Sequence, residues 1–188
     1  MDIYSKAPYP ACALSNFAAH HFVFDGVKCA SMEGLLQAFK TKNVEMQKEI
    51  CKRIGSYAKK SGMGRNWRQK QILYWNGVEY PRQSEAYQEL LTRAYDALFT
   101  SHTFRAALSA AGKDASFTHS RGEKKQNETI LTTSEFIGQL NRLQRKLQEM
   151  ESGKETRWKR RMIQNTPLKI WVLGNGIKLA EERFFWIF

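Results

Sequence analysis

Apolar positions recur at helical spacing along most of this chain and at strand spacing in only a few short places. The densest pattern is Ser31-Met32-Glu33-Gly34-Leu35-Leu36-Gln37-Ala38-Phe39-Lys40. At about 3.6 residues per turn, Met32, Leu35, Leu36 and Phe39 form one apolar stripe, and Glu33, Gln37 and Lys40 stack as a polar stripe beside it. Ser31 stands where an N-cap belongs, so a helix is expected from Met32 to Thr41. Glu33 falls in its first turn, where the helix dipole favours an ionised carboxylate.

Residues 3–14 carry Pro8 and Pro10 and read as an irregular leader or edge strand. Asp25-Gly26 between Phe22-Val23-Phe24 and Val27-Lys28-Cys29 predicts a hairpin, because a type I′ turn needs φ > 0 at both central residues. A second helix spans Glu45 to Ile54 with Met46, Ile50, Cys51 and Ile54 on one side and Gly55 as its C-cap. A short basic segment, 56–61, stops at Gly62-Met63-Gly64. Asn76-Gly77 marks a turn. A long helix follows Ser84, with Ala86, Leu90, Leu91, Ala94 and Leu98 on one face and Tyr87 and Tyr95 beside it. A shorter helix runs from Thr103 to Ala111, and 115–118 reads as a strand. The last clear helix begins after Thr133 or Ser134 and carries Phe136, Leu140, Leu143, Leu147 and Met150 at spacings of four and three. Short strands among helices, without βαβ alternation, imply a mostly helical α+β domain.

The composition changes at Glu151. Residues 1–150 are expected to form one compact domain, and residues 151–188 a basic linker around Trp158 with an aromatic C-terminal tail ending Phe184-Phe185-Trp186-Ile187-Phe188. Cys12, Cys29 and Cys51 are odd in number and widely spaced, which suits a reduced, cytoplasmic setting and makes a structural zinc site a poor fit. No stretch is long and apolar enough for a membrane span, and the first ten residues lack a signal-peptide pattern.

The net charge is +12, and the body is basic in its own right: residues 1–150 hold 22 Lys/Arg against 14 Asp/Glu. Eight cations fall between Lys48 and Lys70 against the single acid Glu49. That balance favours anionic partners, either a nucleic-acid backbone or a phosphorylated small molecule, although most such lysines taken singly only solvate helix faces.

Nucleotide loops of the GxxxxGK[ST] and GxGxxG types, HExxH and GxSxG are missing from the sequence. Gly62-Met63-Gly64-Arg65 offers a glycine turn and a guanidinium suited to phosphate, but equally a plain helix stop. Taken on spacing alone, Glu33, Gln37 and Lys40 read as solvated surface. His119 reads as a structural loop histidine, and Trp67 and Trp75 as core.

An ordered set of motifs changes that reading. Leu14-Ser15-Asn16-Phe17-Ala18, then Phe24-Asp25-Gly26-Val27, then Ser31-x-Glu33-x₃-Gln37-Ala38-x-Lys40 resembles the signature of the NADAR superfamily of YbiA-like N-glycosidases. Ala58-Lys59-Lys60 to Gly64-Arg65 resembles a further element of that family, and the likeness runs more loosely across residues 14–150. Two departures stand out: the family's usual His after the helix Glu is Gly34 here, and its glycine-rich loop before the last helix is replaced by residues 120–129.

The resemblance implies a compact YbiA-like domain that hydrolyses a C–N bond at C1″ of a ribose. It needs no metal or other cofactor. It assigns the catalytic carboxylate to Glu33, expected to be ionised with a low pKa. Asn16, Gln37 and Lys40 would serve the ribose or a phosphate, Arg65 a phosphate, Trp67 a base, and His119 the leaving group or ribose. The favoured substrate is ADP-ribosylated guanine in DNA, whose ADP-ribose would be removed. The same hydrolysis of phosphorylated ribosylamino-pyrimidines of riboflavin biosynthesis is the second reading, and a non-catalytic binder of ADP-ribose, NAD or nucleic acid the third. The site assignment requires Glu33, Gln37 and Lys40 to line a cavity together with Arg65.

Overall fold

The structure is a computed structural model that describes residues 1–64 and 66–165, with side chains through Gly153. Residues 1–149 form one compact unit, and the described residues from 150 to 165 belong to a second. The first unit is a mostly helical α+β domain with two small two-stranded sheets.

Helix α1 (Ala11–Leu14) is followed by strands β1 (Phe22–Phe24) and β2 (Val27–Cys29), paired antiparallel with Phe22 opposite Cys29. Asp25 and Gly26 turn the hairpin with φ of 44° and 81°, as Asp-Gly predicts. Helices α2 (Met32–Ala38), α3 (Val44–Cys51), α4 (Gly55–Ser61) and α5 (Trp67–Lys70) come next. A second hairpin, β3 (Ile72–Trp75) and β4 (Val78–Pro81), turns at Asn76-Gly77. Helices α6 (Glu85–Leu98), α7 (His102–Ala110) and α8 (Thr133–Asn165) complete the described chain.

Several expectations shift. The leader residues 3–14 hold the short helix α1, and the expected 115–118 strand reduces to a single parallel bridge between Asp2 and Thr118. Gly55 does not cap α3 but opens α4 at φ +53°. On α3 the buried positions are Gln47, Ile50 and Cys51, while Met46 and Ile54 are exposed. Gln47 goes inside because its amide is satisfied there: Nε2 donates to the Thr41 and Tyr74 carbonyls, and Oε1 accepts from Asn76 N–H. On α6 the tyrosines Tyr87 and Tyr95 are fully buried and Ala86 is exposed, the reverse of a purely aliphatic seam. The last helix does not stop near Met150, which is 41% exposed, but continues through the basic segment to Asn165. Residues 166–188, where the aromatic tail was expected, lie outside the described residues.

The core is continuous from the first hairpin to α8. Phe24, Phe39, Trp75 and Tyr87 form an aromatic cluster with centroids 5.3–6.5 Å apart. Trp75 Nε1 donates to Asp25 Oδ2 at 2.9 Å, and Asp25 pairs with Arg93 of α6, so the hairpin turn is tied to the helix behind it.

One buried ion pair closes the domain. Arg82, fully buried after β4, donates from both terminal nitrogens to Glu135 of α8 at 3.0 and 2.6 Å. Its Nε reaches the Thr129 carbonyl, and Tyr87 Oη donates to the Ile130 carbonyl. Glu135 also completes a capping box with Thr132: its carboxylate accepts from Thr132 N–H, and its own N–H donates to Thr132 Oγ1. The cap is therefore Thr132, not Thr133 or Ser134. Burial works to raise the Glu135 pKa, but the donors Arg82, Thr132 N–H and Gln88, with the Arg82 charge, bring it down to about 2.

A carboxyl held that low stabilises the fold above the ordinary glutamate pKa of 4.5, and the contribution disappears as pH falls toward 2. Glu135→Gln is therefore expected to lower unfolding free energy by about 3 kcal/mol at pH 7, because it leaves Arg82 buried and unpaired. Urea melts of both proteins should converge as the pH approaches 2.

Candidate active site

Every residue of α2 is buried, its polar side included: Glu33 is 8% and Gln37 5% exposed. The entry of α2 is fixed by Ser31, whose Oγ accepts from Gly34 N–H at 3.0 Å and donates to the Arg53 carbonyl at 2.8 Å. Glu33 N–H donates to the Asn16 carbonyl at 2.8 Å, which ties the segment before the first hairpin to the first turn of the helix.

These elements enclose a cavity of about 500 Å³. Asn16, Glu33, Gln37, Lys40, Trp67 and His119 all line it, so the expected set comes together; Arg65 lies outside the described residues. Spacing alone had favoured solvated surface for the Glu33 stripe. Helix α4 packs against α2 beside this stripe, and residues of the 119–132 segment form another wall of the cavity that the stripe lines.

The electrostatics of Glu33 are opposite to the expectation of a low pKa. Burial raises its carboxyl above the usual range, and this outweighs the Gln37 hydrogen bond and the charges of Lys40 and Lys59. The position near a helix N-terminus does not compensate for lost water. Lys40 is displaced the other way, to about 8, chiefly by burial; Glu33 works to raise it, and Arg68 and Lys59 repel its charge. Burial thus brings the two groups' proton affinities toward one another.

The neighbours fix orientation. Gln37 Nε2 donates to Glu33 Oε1 at 2.8 Å, while Gln37 Oε1 is buried without a hydrogen-bond partner among the described residues. Tyr95 Oη donates to Asn16 Oδ1 at 2.9 Å, which leaves the two Nδ2 protons of Asn16 for other partners. His119 Nδ1 donates to the Ile3 carbonyl at 2.6 Å, and its ring packs edge-on against Phe136. Gly122 is small for a reason: an added Cβ there would lie 2.4 Å from the His119 ring and 2.3 Å from Thr133 Oγ1. Trp67 is 6% exposed, and Lys40 Nζ stands 5.8 Å from its ring centroid with Arg68 at 6.0 Å. Its ring therefore seats these cations rather than offering an open face to a base.

Position 34 proves to be a packing position. A Cβ on Gly34 would meet the carbonyl oxygens of Arg53, Ile50 and Cys51 at 2.7, 3.0 and 3.2 Å, on the side of α3. The missing histidine removes no contact from this cavity. The 120–129 segment, by contrast, contributes Arg121, Gly122, Glu123, Glu128 and Thr129 to the lining. Sequence reading gave no site role to the wall residues Lys59, Arg68 and Arg121, although Lys59 stands in the Ala58-Lys59-Lys60 element, and it missed the support from Tyr95, which sits at the flank of the helix stripe. No group of three or more His, Cys, Asp or Glu residues suited to a metal occurs among the described residues, and no described helix is long and apolar enough to cross a membrane.

The fold is that of a YbiA-like domain: the solution structure of Escherichia coli YbiA matches at a TM-score of 0.52 and 19% identity over 83% of this chain and 86% of that one. Within that fold the chain belongs to the family of bacteriophage protein GP30.3, whose profile matches residues 8–146. An uncharacterized 17.1 kDa protein in the Gp30–rIII intergenic region of enterobacteria phage T4 is 42% identical over 148 residues, 76% of this chain and 95% of that protein.

A raised carboxyl pKa means that the folded state resists the charged form, so its stabilising contribution is complete below the ordinary pKa of 4.5 and is lost as pH rises through the folded value. Glu33→Gln is thus expected to raise unfolding free energy at pH 7, because the amide carries no charge to desolvate. The gain should vanish in melts performed below pH 4.5.

Proposed function

We propose that the protein is an N-glycosidase that hydrolyses the C–N bond between a ribose and a nucleobase, with ADP-ribosylated guanine in DNA as its substrate, so that it removes ADP-ribose. The observation that carries this reading is the desolvated carboxyl of Glu33 in a cavity whose other walls bear Lys40, Lys59, Arg68 and Arg121. An anionic sugar phosphate placed by those cations would present its anomeric carbon to the one buried acid.

The base departs with the C–N electron pair and leaves an oxocarbenium-like ribose, which an ionised Glu33 stabilises; Glu33 accepts a proton from the water that adds to the anomeric carbon, and that proton, passed on to the leaving nitrogen through solvent, restores the carboxylate. A carboxylate with raised proton affinity is the stronger base for that step. The free Nδ2 protons of Asn16 and the unpartnered Oε1 of Gln37 suit ribose hydroxyls, since one offers donors and the other an acceptor. Lys40 holds a phosphate or hydroxyl while it is protonated, and Nε2 of His119 accepts from a further ribose hydroxyl. Arg65 keeps its role as a phosphate fork by resemblance alone.

Incubation with an ADP-ribosylated DNA oligonucleotide and, in parallel, with the ribosylamino-pyrimidine phosphates should release free ADP-ribose from the first, read by mass spectrometry. Ribose 5-phosphate from the second alone would select the riboflavin intermediates, and silence from both would select a binding module. Glu33→Gln should lower kcat by about 10²–10⁴-fold. The rate should follow a bell in pH, rising as Glu33 ionises above 4.5 and falling near 8 as Lys40 loses its proton. In Lys40→Arg the alkaline fall should move upward, because a guanidinium stays charged. A Glu33→Gln variant with wild-type turnover would remove the mechanism.

A further inference from the structure

Helix α4 has two faces with different fates. Inward, Ala58 is fully buried, Lys59 lines the cavity, and Gly62 abuts α2 so closely that an added Cβ would meet Gln37 Oε1 at 1.7 Å. Outward, Tyr57 is 75% and Met63 71% exposed, with the exposed Lys60 between them. Exposed aromatic and apolar side chains grouped within one turn or two mark a contact surface more often than an idle one.

Much of the positive charge around them is not neutralised by an acid among the described residues, although Arg68 Nε donates to the Glu128 carbonyl and Lys59 lies over the Phe17 ring. Of the cations between Lys48 and Lys70, Lys48 and Lys52 pair with Glu45 and Glu49. Lys59, Lys60, Arg68 and Lys70 make no salt bridge among the described residues, and Glu49 is the one acid in the segment. Lys59 and Arg68 are both exposed and both line the cavity, so the cationic track runs from the outer face of α4 to the cavity rim. A polyanion with flat apolar groups at regular intervals matches an aromatic ring among cations on the side of a hole. A protein surface would not need the track to continue inward, and a bilayer has nothing to insert into the cavity.

We propose that the outer face of α4 is a docking track for single-stranded nucleic acid, with Tyr57 stacking on an unpaired base and Lys60, Lys59 and Arg68 following the phosphates toward the cavity. Its purpose rests on the reading of the cavity as a nucleoside site; its substance rests on the surface alone. An unpaired strand is specified because a duplex presents no free base face to Tyr57. The track would hold the nucleotides beside the modified one, so substrates lacking flanking nucleotides would not use it.

Fluorescence anisotropy with a labelled, unmodified single-stranded oligonucleotide of about 12 nucleotides tests this without any catalysis. The wild-type protein should bind with an affinity that falls steeply between about 50 and 200 mM salt. Tyr57→Ala should bind about tenfold more weakly and Tyr57→Phe as wild type, since the ring and not the hydroxyl stacks. Lys60→Ala should reduce the salt slope by about 1. Tyr57→Ala binding as tightly as wild type would overturn the proposal. So would the absence of oligonucleotide binding, including a result in which only phosphatidylserine vesicles bind. Lack of hydrolysis in the cleavage assay would refute the glycosidase reading and leave this binding result standing. If hydrolysis occurs, Tyr57→Ala should raise KM on the modified oligonucleotide about tenfold while turning over ADP-ribosylated guanosine as wild type does.

Discussion

The enclosure of α2 on all sides is the constraint from which the rest follows. A helix of seven residues has too little apolar surface to be wrapped completely without taking polar groups inside. Glu33 and Gln37 are those groups, and the chain handles them unequally. Gln37 satisfies the carboxyl with one of its amide protons and leaves its own oxygen without a partner among the described residues. The domain thus carries an incompletely satisfied polar pair at the wall of an open cavity, the kind of local cost that folded proteins tolerate where a ligand completes the set.

The buried Glu33 and the half-buried Glu135 show the contrast. Glu135 is surrounded by donors and a bidentate guanidinium, so its proton affinity falls and it locks the 119–132 segment to the body. Glu33 receives one amide proton, and its proton affinity rises. Glu33 is the more deeply buried and has the fewer donors, and both differences push its proton affinity up. The first arrangement stabilises the wall of the cavity; the second leaves a carboxyl ready to exchange a proton inside it.

Much of this was legible in the chain. The Asp25-Gly26 hairpin, the Ser31 cap and the helical stripes follow from turn chemistry and periodicity, which are local properties. The ordered motifs from Asn16 to Lys40 anticipated a shared cavity. What escaped was set by partners distant in sequence. Glu33's proton affinity depends on how completely α4 and the 119–132 segment exclude water, and no spacing rule reports that. Tyr95 seemed incidental because Asn16, its hydrogen-bond partner, lies 79 residues away. Gly34 seemed a lost site residue, whereas the close backbone of α3 decides it. The capping box Thr132-x-x-Glu135 was local and readable, and the buried arginine on which it depends was not.

The most direct test of this account is the ionisation of Glu33 itself, followed by ¹³C-carboxyl NMR across pH with the signal assigned by its loss in Glu33→Gln. Burial with a single amide donor predicts a midpoint clearly above the 4.5 of an ordinary glutamate. A midpoint at or below 4.5 would show that the carboxyl is solvated or fully paired, and the cavity would lose its reactive group.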